Sequence, residues 1–197
     1  MTASTDDYVG RSDVDDVLKK ILTDPNVDCY WIVSGEHGTG KTTTVQNVCR
    51  EIGKGIIYVD IPENIGLFNH SFAQAIGVFY HQQDDGWLSY FHKFYLGPEQ
   101  GIWVKLTIVL GWMDVYLKFK KYAEWYRKKN NRAPVLVIDN INRLAKKAPE
   151  ILEILQEGAK DAVGSRSFTV VFVTSDGEAP SQMQGIYNFN FSASFYF

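Results

Sequence analysis

The chain has 197 residues, 45% of them hydrophobic and 22% charged, and its formal net charge at pH 7 is −3. These values suit one globular domain with a buried core, and they argue against a generally basic nucleic-acid-binding protein. The acidic start lacks the basic and apolar parts of a secretory signal, and Lys105 and Asp114 interrupt the longest apolar stretch, residues 101–117. Cys29 and Cys49 lack the spacing of a metal site or a disulfide framework. We therefore expect a cytoplasmic protein without a membrane partner.

The first part of the chain alternates between helix and strand patterns. Apolar side chains spaced three and four apart predict an amphipathic helix from Ser12 to about residue 23. Apolar runs at 28–34 and 55–60 predict two buried strands, and the segment 41–53 between them predicts a helix that ends at a glycine. The order is therefore helix, strand, helix, strand.

The second part of the chain continues this alternation after a long helical segment. Residues 63–130 predict a helical insertion, with short helices and loops followed by one long helix from about residue 101. Apolar runs at 133–139 and 167–176 predict two more strands, and residues 150–162 predict the helix between them. We expect all of residues 1–197 to form one domain, with an atypical tail at 180–197.

The continuous apolar runs indicate how the strands are arranged. Strands buried on both faces read as unbroken apolar runs, which is typical of a parallel sheet covered by helices on each side. The predicted fold class is therefore α/β, with three layers (α/β/α) around a mainly parallel sheet. In such sheets ligands bind at the carboxyl ends of the strands. Gly35, Asp139 and Ser175 all fall at those ends.

The segment GEHGTGKT, residues 35–42, satisfies the Walker A spacing G-x-x-x-x-G-K-[ST] between a predicted strand and a predicted helix. Its glycines let several backbone N–H groups face one anion, Lys41 would reach the terminal phosphates, and the Thr42 hydroxyl would ligate Mg²⁺. The alternative is a chance glycine-rich turn, expected in about one chain in a hundred of this length. The predicted phosphate-binding residues are Gly35, Glu36, His37, Gly38, Thr39, Gly40, Lys41, Thr42 and Thr43.

Asp139 supplies a second predicted element of the site. It ends the apolar run of residues 135–138, so its carboxylate should lie at the ligand edge of the sheet, where it can hold the Mg²⁺ shell. This is the Walker B arrangement. The alternative is a strand end that caps the following helix, and the upstream phosphate loop favours the metal role.

These residues occur in blocks that resemble the P-loop ATPases of the additional-strand division, in particular AAA+ and STAND-like ATPase domains. The archaeal-type ATPase group and its fungal relatives are included in that resemblance. The blocks, in the order of the family, are YVGRSDVDDVLKKIL, WIVSGEHGTGKTT, GIIYVDIPE, PVLVIDNINRL and FTVVFVTSDG. The resemblance implies ATP and Mg²⁺ as ligands, Arg11 near the adenine, and Thr174 or Ser175 as a sensor of the γ-phosphate. The alternatives are a surface charge for Arg11 and strand-end capping for the other two.

Two departures from the family bear on catalysis. Related ATPases usually place a glutamate after the Walker B aspartate, and this chain has Asn140, whose amide can orient water but cannot take its proton. The ending GIYNFNFSASFYF also matches neither the arginine-bearing segment nor the fifth strand and helices of the family, which suggests C-terminal truncation. The candidate catalytic residues are Lys41, Asp139, Asn140 and Ser175.

Three functions remain open from the sequence. The first is a slow Mg²⁺-dependent ATPase that acts as a conformational switch for a protein partner or in a homo-oligomer. The second is a module that binds ATP or ADP without hydrolysis and interacts through the helix at 101–130. The third is a small-molecule kinase, for which only Asp60 and Glu63 offer acceptor-binding charges. The basic residues among the aromatics of 118–132 fit a solvated helix face, so we do not expect a nucleic-acid partner.

Overall fold

The described part of the chain contains five strands and seven α-helices. In this computed structural model, residues 12–24, 26–77, 100–175, 178–185 and 192–196 are described, with side chains for 12–24, 26–77, 113–175 and 179–183. The strands are Tyr30–Ser34 (β1), Ile56–Asp60 (β2), Val135–Asp139 (β3), Thr169–Val173 (β4) and Ser192–Tyr196 (β5). The helices are Ser12–Thr23 (α1), Lys41–Ile52 (α2), Phe68–Ala75 (α3), Gln100–Asn130 (α4), Asn142–Lys147 (α5), Pro149–Ser165 (α6) and Glu178–Gly185 (α7). A short 3₁₀ turn, Ile65–Leu67, leads into α3.

The strands form one sheet in the order β2-β3-β4-β1-β5, and every neighbouring pair is parallel. The predicted α/β fold is confirmed, and each of the four predicted strands occurs with somewhat shorter bounds. The register aligns the carboxyl ends, because Asp60 lies opposite Asp139 and Val33 lies opposite Val173. The segments that follow β1, β3 and β4 therefore leave the sheet on the same side, at the carboxyl ends of the strands.

The two faces of the sheet are both buried under helices. Successive residues of a strand point to opposite faces, so Ile138 and Val137 belong to separate halves of the core. One half packs the sheet against α3, α4 and α6, and the edge-to-face pair Phe119–Phe168 lies in it with ring centroids 4.8 Å apart. The other half packs the sheet against α1 and α2. This arrangement gives the three layers that the sequence predicts.

The expectation that the tail contains no fifth strand is wrong. β5 pairs with β1 along its whole length, from Ser192 opposite Tyr30 to Tyr196 opposite Ser34. The Ser-Ala-Ser start of β5 lacks the β-branched run that marks the other strands, so its sequence carries a weak strand signal. The unpaired N–H and C=O groups of β1 select this strand, since an uncovered edge offers a row of hydrogen-bonding partners.

The helical segment between β2 and β3 contains α3 and α4. Residues 78–99 of the helical insertion predicted at 63–130 lie outside the described residues. Val115 and Phe119 of α4 are fully buried, whereas Trp125 near its end is exposed. None of the described helices combines the length and the apolar content that a membrane crossing requires.

Candidate functional site

The turn between β1 and α2 has a backbone that glycine favours. Gly38 and Gly40 adopt φ values of 83° and 84°, a left-handed conformation that side chains rarely allow. A Cβ added at either position would meet no atom within 4 Å, so backbone strain, and not steric crowding, disfavours residues other than glycine here. α2 then begins at Lys41 without a side-chain hydrogen bond at its N-cap. The N–H groups of its first turn are therefore suited to bind an anion.

Lys41 is buried at the start of α2, with 5% of the residue exposed. Its Nζ donates hydrogen bonds to the backbone carbonyl of Glu36 and, at 3.1 Å, to the hydroxyl of Thr39. Burial lowers the pKa of Lys41, and the charges of Asp139 and Glu36 partly oppose that effect. Both direct partners are neutral oxygens of the loop. A buried ammonium whose hydrogen bonds go to neutral groups fits an anionic ligand, because burying a charge is costly unless it is paired.

Asp139 ends β3 and is 1% exposed. Its Oδ2 accepts a hydrogen bond from the hydroxyl of Tyr58 at 2.6 Å, and its Oδ1 accepts one from the backbone N–H of Asn140 at 2.7 Å. Burial raises the pKa of Asp139, whereas the hydrogen bonds from Tyr58, Thr42 and the Asn140 N–H lower it. The structure thus brings together Asp139 and Thr42, the two residues predicted to hold Mg²⁺. Two protein ligands are sufficient for Mg²⁺, which takes its other ligands from water and phosphate.

Tyr58 and Gln46 are residues of this site that the sequence interpretation missed. Tyr58 lies on β2, and its hydroxyl accepts a hydrogen bond from the Gln46 amide of α2 at 3.1 Å while it donates to Asp139. Burial raises the pKa of the Tyr58 hydroxyl, so it remains a neutral donor. The sequence signal that could have identified Tyr58 is its hydroxyl, a polar group in an otherwise apolar part of the strand.

Asn140 contacts the neighbouring strand β2. Its Nδ2 donates to Oδ1 of Asp60 at 2.7 Å, and Arg143 Nη1 lies 3.4 Å from the same oxygen. Arg143 also donates to the backbone carbonyl of Ile61. Asn140 adopts a φ of 61°, which is uncommon for a residue other than glycine. Asp60, Asn140 and Arg143 therefore form a polar cluster beside Asp139, which we call the strand-end cluster.

The segment after β4 reaches the same edge of the sheet. The backbone N–H of Thr174 donates to the Val33 carbonyl at 3.0 Å, and the Thr174 side chain is buried, whereas Ser175 is half-buried. Arg11 lies outside the described residues. Arg166 precedes β4 and so lies at the opposite end of the strands.

The remaining predicted loop residues differ in accessibility. Thr39 is half-buried and its hydroxyl donates to the Glu36 carbonyl at 2.9 Å. Glu36, His37 and Thr43 are exposed. The loop thus combines one buried cation with a largely accessible outer surface, as a phosphate-binding turn requires.

Comparison with known families identifies the domain. Residues 31–184 match the ATPase family associated with various cellular activities (AAA). The chain belongs to this AAA family. It is accordingly a P-loop ATPase domain, which confirms the resemblance found in the sequence. The comparison with curated protein sequences finds no match.

Solved structures resemble this AAA domain in fold. Cdc6p from Pyrobaculum aerophilum is 17% identical with a TM-score of 0.50, and the alignment covers 96% of this chain and 47% of that one. A Walker-type ATPase of Pyrococcus abyssi is 11% identical with a TM-score of 0.57, covering 98% and 55% of the two chains. The chain therefore spans about half the length of these structures, and identities this low bear on the fold alone.

Proposed function

We propose that this AAA domain binds Mg²⁺-ATP through residues 35–43 and hydrolyses it slowly. The observation that carries this proposal is the convergence of Lys41, Thr42 and Asp139 at the start of α2. The N–H groups of the turn and Lys41 would bind phosphate oxygens, while Thr42 and Asp139 would hold Mg²⁺. The ion neutralises charge on the phosphates when it is bound.

The slow rate is inferred from Asn140. Its amide is hydrogen-bonded to Asp60 and cannot accept the proton of an attacking water, so any proton acceptor must act from a position other than the one after Asp139. A proton acceptor displaced from that position is expected to support slower hydrolysis. We further propose that nucleotide binding acts as a conformational switch for a protein partner or for a second copy of the chain. Arg143 is bound to Asp60 and Ile61 of its own chain, so it is poorly placed to serve a neighbouring subunit. Arg166 could act only on another copy, because it lies at the opposite end of the strands.

Measurements of nucleotide binding and phosphate release distinguish two alternative functions from the proposed one. Binding without phosphate release would favour an interaction module, whereas release that requires an added acceptor would favour a kinase. Nucleic acid is not a proposed partner, because two cations of α4 are engaged within the chain: Lys118 pairs with Asp114 at 2.8 Å and Arg127 donates to the Ser165 carbonyl at 3.1 Å. The domain limits 1–197, the cytoplasmic location and the sensor role of Ser175 likewise remain proposals.

We expect the chain to bind ATP readily at equilibrium and to hydrolyse the bound ATP slowly. Equilibrium binding of ATP, ADP and GTP with and without Mg²⁺, followed by single-turnover phosphate release over a series of protein concentrations, tests this. Slow release is expected, and a rate that rises with concentration would identify a second copy as the partner. Brisk hydrolysis that does not depend on concentration would contradict the proposal.

Tyr58→Phe is expected to lower Mg²⁺ affinity in the presence of ATP by about tenfold, since a hydrogen-bonding partner of a metal ligand usually contributes that much. Binding of ATP without Mg²⁺ should change little, because the hydrogen bonds of the Tyr58 hydroxyl join it to Asp139 and Gln46, which both lie outside residues 35–43. Mg²⁺ titrations of the nucleotide complex measure the effect. Tyr122→Phe, which removes a half-buried hydroxyl on α4, is the matched control. Equal Mg²⁺ titrations for Tyr58→Phe and the parent would rule out this positioning role.

A further inference from the structure

The strand-end cluster places a carboxylate beside the residue that follows Asp139. Asp60 ends β2 and lies directly opposite Asp139 in the parallel register. The Asn140 amide reaches across to it and donates to Oδ1 at 2.7 Å. The edge of the sheet therefore holds an acid–amide pair, in which the acid belongs to β2 and the amide follows β3.

This pair provides a proton acceptor at residue 60, on β2, and not at residue 140. Asn140 cannot accept a proton, but the Asp60 carboxylate in contact with it can. Both hydrogen bonds made to this carboxylate by the described residues end on Oδ1. The Asp60 side chain is also 51% exposed, so water reaches it. We infer that Asp60 is the general base of ATP hydrolysis in this chain, an inference that rests on the proposed ATPase function.

In the inferred step, the oxygen of the attacking water forms a bond to the γ-phosphorus of ATP. The bond between that phosphorus and the oxygen that bridges to ADP breaks, and its electron pair leaves with ADP. The proton released by the water passes to Asp60 and then to bulk solvent, so the products are ADP, phosphate and one proton. No oxidant, reductant or further reactant takes part.

The other members of the cluster position this base. Arg143 bridges Asp60 and the carbonyl of Ile61, which fixes the first residues after β2 against the start of α5. Lys147 adds a second tie, since its Nζ donates to the Glu63 carbonyl at 2.6 Å. With Oδ1 held by Asn140 and Arg143, the orientation of the carboxyl group is restricted. Orientation of this kind is what a general base requires.

Asp60→Asn tests the inference, because it keeps the shape of the side chain and an oxygen that can accept from Asn140. ATP affinity should stay within about twofold of the parent, whereas single-turnover hydrolysis should fall by at least about 100-fold, the usual contribution of a general base. Asp60→Glu retains a carboxylate and should exceed Asp60→Asn by about tenfold or more. Glu153→Gln removes an exposed carboxylate on α6 and should hydrolyse ATP like the parent.

The outcomes separate this inference from the proposed function. If the parent binds and hydrolyses ATP and Asp60→Asn does so at the same rate, the inference is overturned while the ATPase proposal stands. If the parent itself releases no phosphate, the ATPase proposal fails and the inference fails with it. Should Asp60→Asn lose ATP binding, Asp60→Ser replaces it, and parent-like hydrolysis by that variant overturns the inference in the same way.

Discussion

Lys41→Ala is expected to weaken Mg²⁺-ATP binding by about 100-fold or more. Charge-assisted hydrogen bonds are about twice as strong as neutral ones, and the variant loses every such bond that the ammonium could make to phosphate. The turn loses the hydrogen bonds that Nζ donates to Glu36 and Thr39, but the fold should persist, because the apolar side of α2 that packs in the core does not involve Nζ. Isothermal titration with ATP measures the loss.

The stability of the nucleotide-free protein provides a second readout for Lys41→Ala. Burial disfavours the charged form of Lys41, so removal of the ammonium should leave the free energy of unfolding unchanged or raise it. Lys54→Ala, which removes an exposed cation shortly after α2, is the matched control and should bind ATP like the parent. Unchanged ATP affinity in a folded Lys41→Ala variant would refute the assignment of the phosphate site.

Asp139→Asn is expected to abolish most of the enhancement that Mg²⁺ gives to ATP binding. Partners of metal ligands already contribute about 10- to 100-fold in metal affinity, so the loss of a ligand's charge should cost at least about 100-fold. The amide oxygen can still accept the hydrogen bond from Tyr58, which limits structural damage. Mg²⁺ titrations at saturating ATP measure the change.

The control for this variant is Asp16→Asn, which neutralises an exposed aspartate on α1 and should leave the Mg²⁺ dependence intact. ATP binding without Mg²⁺ should be similar in Asp139→Asn and the parent, because Lys41 and the loop amides remain. Superimposable Mg²⁺ titrations for Asp139→Asn and the parent would remove Asp139 from the metal site.

Local sequence signals predicted the phosphate turn and the strands that carry it. The glycines at 38 and 40, the apolar run before Asp139 and the helix after Lys41 are short-range patterns, and the structure has each of them in place. The contacts of Tyr58 with Asp139 and of Asn140 with Asp60 join residues 81 and 80 positions apart. Periodicity within a segment carries no information on such cross-strand pairs, because they depend on which strands become neighbours.

β5 and Arg143 illustrate the same limit. The tail lacks a strong strand pattern, and its pairing is set by the free edge of β1 and not by propensity. Nothing in the local sequence around Arg143 indicates its partners, whereas the structure engages it with Asp60 and Ile61. In both cases contacts with a segment that is distant in the sequence determine the structural role of the residues.

The strand order also has a consequence for how the chain folds. β1 leads into the glycine turn at residues 35–42, yet its neighbours in the sheet are β4, where Trp31 lies opposite Val171, and β5, where Trp31 lies opposite Ala193. Pairing over such sequence separations requires closure of long loops before any contact compensates for the lost entropy, which slows folding. During synthesis, β1 therefore has no neighbouring strand to pair with until β4 has emerged from the ribosome. The glycine turn at residues 35–42 therefore reaches its place beside the sheet only after β4, which lies far downstream of it in the sequence, has been synthesised.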